Sequence, residues 1–322
     1  MYAKDICLNQ DVIVVSDTIP HARGLLLSLL ETNSAKKCTS KVILEITNRF
    51  DYALSSKRDI KLYYQLFRRL AELTQRSNSL FWVTNNNFER AYMEYRLGVS
   101  LPFVQVLRPL GITGDDSDYS YPTDLPAPNR SMLVALNHSN TNVFKLAQHS
   151  YSVPLFVIPD EHTHYGGPKS LHRFKGFVEF PYQVSTMKLY ENLAAGVILL
   201  IPTPRFLEQL WLNHQHDIFY FMHVLRDLTP SIANFYNRKP PLYSPHAGFP
   251  SWSAYMDYYA AEFAPYIYYF DSFEELKSIA EMNPADLDWK GVRKGEGKFF
   301  KQSQTETIKG WKRLFRTIGC QV

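Results

Sequence analysis

Phe174-Lys-Gly-Phe-Val-Glu-Phe-Pro-Tyr-Gln-Val-Ser-Thr-Met-Lys-Leu-Tyr-Glu-Asn-Leu-Ala-Ala-Gly196-Val-Ile-Leu-Leu-Ile201 holds one complete repeat of an α/β fold. The apolar run 174–180 reads as a strand stopped by Pro181. Ser185 and Thr186 are hydroxyl residues of the kind that open helices, and Gly196 is of the kind that closes them. Val197–Ile201 is then an unbroken apolar run, the mark of a strand buried on both faces of a parallel sheet.

The same alternation extends in both directions. Upstream, apolar runs at 11–16, 41–47, 80–84 and 103–107 alternate with helical patterns at 22–31, 59–74 and 88–97. Nearer the quoted stretch, strands are predicted at 131–136 and 154–158, with a helix at 141–149 between them. Downstream, a short strand at 267–270 precedes a helix at 273–282 and a basic helix at 304–316; the pattern breaks after Pro202 in aromatic and proline-rich sequence. Residues 114–130 are acidic, proline-rich and aperiodic, as a linker is. The expected organisation is two Rossmann-like parallel-sheet domains, 1–120 and 121–322, facing each other across a ligand cleft. The helix at 304–316 is expected to be solvated or to pack back on the first.

With 322 residues, 45% hydrophobic and 20% charged, the chain can fill a substantial core, which excludes a disordered or fibrous protein. Charges of 35 basic and 31 acidic residues leave +4, a lean toward small anions and short of a nucleic-acid surface. The tally of 21 Tyr, 21 Phe and 5 Trp points to an aromatic core, with stacking on sugars or bases as the alternative use. Cys7, Cys38 and Cys320 show no metal or redox spacing, so a reducing, cytoplasmic setting is expected (the host cytoplasm, were the protein viral). No signal peptide or membrane span is read from the sequence.

Several chemistries lack their signatures. There is no Gly-x-x-x-x-Gly-Lys-Ser/Thr, no Gly-x-Gly-x-x-Gly behind the first strand and no Gly-x-Ser-x-Gly. Gly291, Gly295 and Gly297 read as part of a basic loop. The pairs His162/His164 and His214/His216 lack a third ligand at metal spacing, and Asp116/Asp118 and Asp286/Asp288 end no buried strand. No metal or other cofactor is expected.

In parallel sheets, ligands sit past the carboxyl ends of strands. Those positions hold Asp17 with His21 and Arg23, Asn48, Arg49 and Asp51, Asn86, His138, His164, Tyr165, Tyr182, Gln183, Ser185 and Thr186. Backbone N–H groups and the dipole at the helix start of 185–195 form a seat for a diphosphate, aided by the Ser and Thr hydroxyls. Glu191, almost two turns in, can accept from a ribose diol, and Lys169, His172, Arg173 and Lys175 can balance the charge. An ordinary capped helix with Glu191 exposed is the competing reading.

The Pro-Tyr-Gln-Val-Ser…Tyr-Glu-Asn-Leu-Ala-Ala-Gly-Val-x-x-x-x-Pro-Thr stretch resembles the donor half of GT-B glycosyltransferases, in which the Glu binds ribose. Residues 15–24, 47–51 and 84–90 are similar to exostosin-related transferases, including xylosyltransferases of green algae and of the large DNA viruses that infect them. The likeness runs through most of the chain. It implies a UDP-sugar donor, UDP-xylose being its suggestion, and a glycan acceptor such as L-fucose. Retaining members often carry a second Glu eight positions before the ribose-binding one; Gln183 stands there, which favours inversion.

An inverting transfer needs one base and a stabilised leaving group. Asp17 is the first candidate base, then Asp51 and His21, although Asp17 can instead cap the helix near Ile19 and Asp51 can hold Arg49. Arg23, Asn48, Arg49 and Asn86 are acceptor-side candidates. His138, His164, Tyr165, Lys175, Tyr182, Gln183, Ser185, Thr186 and Glu191 are donor-side. A non-catalytic nucleotide- or glycan-binding module and a nucleotide-sugar epimerase are the alternatives; binding of nucleic acid by Lys309, Lys312, Arg313 and Arg316 is a weaker one.

Overall fold

A computed structural model describes residues 2–17, 19–52, 54–101, 104–112, 121–136, 141–159, 165–213, 222–236, 249 and 251–321. The chain forms two compact units. One comprises 1–108, 230–242 and 306–322; the other comprises 109–229 and 243–305. Each is α/β, with a sheet whose strands are all parallel.

In the first unit the order is α1 (Tyr2–Asn9), β1 (Val12–Ser16), α2 (Arg23–Leu29), β2 (Lys41–Ile46), α3 (Lys57–Arg76), β3 (Leu80–Thr84), α4 (Asn87–Leu97) and β4 (Gln105–Val106). The sheet runs β1-β2-β3-β4 without a reversal. Right-handed crossovers in one direction place their helices on one face. Accordingly Trp82 meets α3, its ring 5.8 Å from Phe67 and its indole N–H donating to Thr74 Oγ1 at 2.9 Å. Helix α3 exists because Tyr63, Leu66, Phe67, Leu70 and Ala71 recur on one stripe, and Ser56 caps its start by accepting from Asp59 N. The opposite face of the sheet, presented by Ile43 and Val83, packs against Leu314 and Ile318.

The second unit contains β5 (Leu133–Leu136), α5 (Thr141–Lys145), continued by a π-helical turn at Leu146–Ser150, then β6 (Leu155–Ile158) and α6 (Gly167–Leu171). There follow β7 (Gly176–Val178), α7 (Met187–Ala194), β8 (Leu199–Pro202), α8 (Pro204–Leu212) and α9 (Met222–Phe235), whose last residues belong to the first unit. The unit continues with β9 (Ile267–Phe270), α10 (Phe273–Glu281) and the start of α11 (Trp289–Ile318). Its sheet runs β6-β5-β7-β8-β9. The chain leaves β5 toward β6, then resumes on the other side at β7. This reversal is the feature that opens a crevice in doubly wound sheets. β8 is buried throughout, as its apolar run requires.

Three expectations are corrected. Cys7 and Cys38 are joined by a disulfide, their Cα atoms 5.3 Å apart, because α1 brings residue 7 beside the loop before β2; the argument for a reducing compartment therefore loses its basis. The stretch after Pro202 contains α8 and α9, the first started by Thr203, which accepts from Phe206 N at 3.2 Å, and by Pro204. Gly291, Gly295 and Gly297 lie within α11, which starts fifteen residues before the expected 304. A side chain at Gly295 would meet the Tyr266 ring at 2.9 Å, and one at Gly310 would meet Leu107 at 2.4 Å, so close packing offsets the helix propensity that glycine lacks. Lys309, Lys312, Arg313 and Arg316 are the exposed side of that helix, while Leu314 and Ile318 are its packed side. The expected aromatic core is present: Tyr255, Tyr258, Tyr259 and Phe263 are at most 1% exposed. Among the described residues no helix is long and apolar enough to cross a membrane.

Candidate functional site

A hydrogen-bonded polar cluster of the second unit lies past the carboxyl ends of β5 and β7, the two strands flanking the reversal. A closed-down crevice of about 20 Å³ there is lined by Leu136, Phe177, Glu179, Phe180, Tyr182 and Lys188, so a ligand would have to part these side chains to enter. The loop 180–186 leads from β7 into α7, and Thr186 caps that helix by accepting from Leu189 N at 3.1 Å. The 3₁₀ turn Asp257–Tyr259 holds the loop in place. Asp257, fully buried, accepts from Ser185 Oγ at 2.5 Å and from Tyr190 OH at 2.6 Å, and its backbone N–H donates to Val184 O. The Tyr258 hydroxyl bridges Thr186 Oγ1 and Glu179 Oε1, both at 2.7 Å.

Two ionisable groups share the crevice. Burial pushes Glu179 above the ordinary carboxyl range, opposed by Lys188 and by the Tyr258 hydrogen bond. Burial pushes Lys188 down to about 8, opposed by Glu179 and Glu191. The Lys188 ammonium also lies 5.2 Å from the Tyr165 ring and 5.0 Å from the Phe177 ring. A cation whose charge an anionic ligand would further stabilise therefore stands within the first turn of α7, where helix N–H groups lack intrahelical acceptors.

Of the predicted donor-side residues, Tyr165, Tyr182, Ser185 and Thr186 meet here, and Gln183 lies on the same loop. The Ser185 and Thr186 hydroxyls are engaged by Asp257, Leu189 and Tyr258, so they build the helix start; ligand contacts would fall to the backbone and to Lys188. Glu191 faces a different cavity with Lys169, His172 and Gln304. Lys175 does not join the site. It precedes β7, at the amino edge of the sheet, and its ammonium donates to Ala280 O and Met282 O. His138 and His164 lie outside the described residues, as do Asp116, Asp118, His162, His214 and His216. Among the described residues no three His, Cys, Asp or Glu side chains gather as a metal ion would need. Sequence reasoning missed Glu179, Lys188, Asp257 and Tyr258. Only Glu179 and Lys188 carried a local signal, being charged residues at the end of a buried strand and in a helix's first turn.

In the first unit the acceptor-side residues gather past the carboxyl ends of β1, β2 and β3. Asp17 follows β1, is exposed, and has φ 60°; with Ser152 it is one of two non-glycine residues in the left-handed region among those described. Its carbonyl accepts from Ile19 N at 2.9 Å. His21 is exposed in the following 3₁₀ turn. Asp51 follows β2 and accepts from Tyr64 OH at 2.5 Å and Tyr92 OH at 3.1 Å. Arg23 stacks 5.5 Å from the Tyr63 ring, whose hydroxyl donates to Phe50 O, and Arg96 lies over Tyr64 and Tyr92. Burial and the nearby Asp51 push the Tyr64 phenol up to about 12. Arg49 lies over Tyr52, and Asn48 Oδ1 accepts from Arg49 N. Asn86 is 1% exposed; it caps α4 by accepting from Glu89 N and donates to Asn85 Oδ1.

The described geometry thus defines a two-unit α/β protein with a polar crevice at the reversal of its doubly wound sheet. Neither the family models nor the curated proteins with which the chain was compared match it.

Proposed function

We propose that the chain is a glycosyltransferase of the GT-B type, transferring a sugar from a nucleotide-diphosphate donor to a glycan hydroxyl with inversion. The observation that carries the reading is the crevice between β5 and β7, which opens on the capped start of α7 and holds the part-buried cation Lys188. A diphosphate leaving group needs such neutralisation as its charge grows. In the reaction, Asp17 takes the proton of the acceptor hydroxyl, the freed oxygen attacks the anomeric carbon, and the bond from that carbon to the diphosphate oxygen breaks. Asp51 has oxygens engaged by Tyr64 and Tyr92, so it suits holding the turn; Asp17, exposed on a strained turn, suits the base.

The resemblance supports xylose from UDP-xylose as the transferred sugar and L-fucose in a glycan as acceptor. Lys188 and the α7 N–H groups supply the diphosphate's counter-charge, so no metal is required by the reading. A thermal-shift screen of nucleotide sugars, with and without EDTA, tests it. One donor should raise the melting temperature with EDTA present, and acceptor should trigger release of free nucleotide. Binding without turnover would leave a non-catalytic module; an epimerised sugar would make the chain an epimerase; no stabilisation by any donor would sink the reading.

A further inference from the structure

At the amino edge of the second unit's sheet, away from the crevice, lies a cavity of about 880 Å³. Its wall includes Arg130 before β5, His172 and Lys175 before β7, and Trp289, Lys290 and Arg293 at the start of α11. We propose that this cavity is a second binding site, for a phosphate-bearing anion.

Its cations are only partly compensated. Arg130 makes no hydrogen bond or ion pair among the described residues, and the same holds for Lys290. Arg293 donates Nε to Gly196 O and one Nη to His172 O, both at 3.1 Å; its other Nη has no acceptor among the described residues. The nearness of Arg130 and Arg293 is visible in their effect on His172: burial, then Arg293, then Arg130 hold the imidazole below its ordinary range. Burial and Arg130 likewise lower Arg293. Like charges gathered in a partly buried wall disfavour one another until an anion enters.

A second observation is independent of charge. Trp289 is 8% exposed, and its buried indole N–H has no hydrogen-bond partner among the described residues. An unsatisfied buried donor on a cavity wall calls for an acceptor. Two carboxylates, Asp286 and Asp288, share the wall and offset part of its charge, leaving four cations against two anions; Asp288 Oδ1 also accepts from Gly291 N as the cap of α11. Lys175 gives its ammonium to two carbonyls, so Arg130, Lys290 and Arg293 are the cations left to face a ligand, with Trp289 beside them in the wall. The cavity lies within the range that holds small molecules. Phosphate oxygens, which take forked contacts from guanidinium groups, fit this donor set.

The test is calorimetric titration of the full chain with inorganic pyrophosphate and, separately, with a nucleoside diphosphate, at fixed ionic strength. Lys188→Met removes the cation of the crevice, so binding that persists in that variant belongs to the cavity. We expect at least one probe to bind Lys188→Met saturably, and Arg130→Ala, an exposed position with no contacts to lose, to weaken that binding about tenfold. Tighter binding of pyrophosphate would mark the phosphates alone as the ligand; tighter binding of the nucleoside diphosphate would add a base contact. No saturation by either probe in Lys188→Met, or equal binding after Arg130→Ala, would overturn the proposal whatever the fate of the donor site.

Discussion

Glu296 sits in α11 with no exposed surface, and neither carboxyl oxygen has a hydrogen-bond partner among the described residues. Arg293, one turn earlier, is turned to the carbonyls of Gly196 and His172. Burial pushes the Glu296 carboxyl up to about 9, with Arg293 the opposing influence. A carboxyl raised in the folded state contributes its full stability below the unfolded value near 4.5. That contribution is lost as pH rises, because above 4.5 the unfolded chain ionises while the folded chain must hold the proton or bury a charge. Each pH unit costs about 1.4 kcal/mol, so the interval from 4.5 to 9 carries about 6 kcal/mol as a ceiling. Glu296→Gln keeps the shape and removes the titration. Urea unfolding of both proteins at half-unit steps between pH 5 and 8.5 should show the wild type losing stability relative to the variant by about 1 kcal/mol per pH unit. Parallel curves across that range would refute the account of Glu296 as an unpaired buried acid.

Other outcomes follow from the same structure. The Cys7–Cys38 bridge closes a loop with a sequence separation of 31, so Cys7→Ser with Cys38→Ser should cost about 4 kcal/mol in denaturant unfolding, and added reductant should leave that variant unchanged. Asp257→Ala removes the acceptor of two buried hydroxyls and should lower stability by about 2–4 kcal/mol, read by calorimetry, and weaken donor binding with it. Lys188 is held at about 8 when folded against 10.5 unfolded, so the unfolded state carries the extra proton between those values. Stability should therefore gain from this group as pH rises from 8 to 10.5, a gain absent in Lys188→Met. Asp17→Asn should abolish transfer while donor affinity stays level; Asp51→Ala should instead lower the unfolding midpoint, since Tyr64 and Tyr92 lose their acceptor.

What was legible in the chain is what short-range pattern encodes. The stripe Tyr63, Leu66, Phe67, Leu70, Ala71 and the hydroxyl of Thr186 announce α3 and the start of α7 without any knowledge of their neighbours. So do the β-branched and leucine runs of β1, β2, β3 and β8. What failed depended on partners far away in sequence. Gly295 argues against a helix until Tyr266 is seen pressed against it. Cys7 and Cys38 have no telling spacing; the docking of α1 joins them. Asp257 and Tyr258 lie about seventy residues beyond the helix start that they hold, inside aromatic sequence whose pattern speaks only of core. Lys175 looked like a phosphate ligand because a basic residue near a strand does not reveal which edge of the sheet it serves.

The packing of Leu314 and Ile318 on Ile43 and Val83 has a consequence for how the protein is made. All four strands of the first sheet have been synthesised by residue 106, yet the residues that shield one face emerge about 200 residues later. At roughly 5–20 residues per second, that apolar face waits on the ribosome for about 10–40 s. Neither unit is contiguous in sequence, so a fragment ending near residue 108 would carry the exposed face permanently and should be recovered as aggregate. The first sheet can close only once Leu314 and Ile318 have left the ribosome, long after its own last strand.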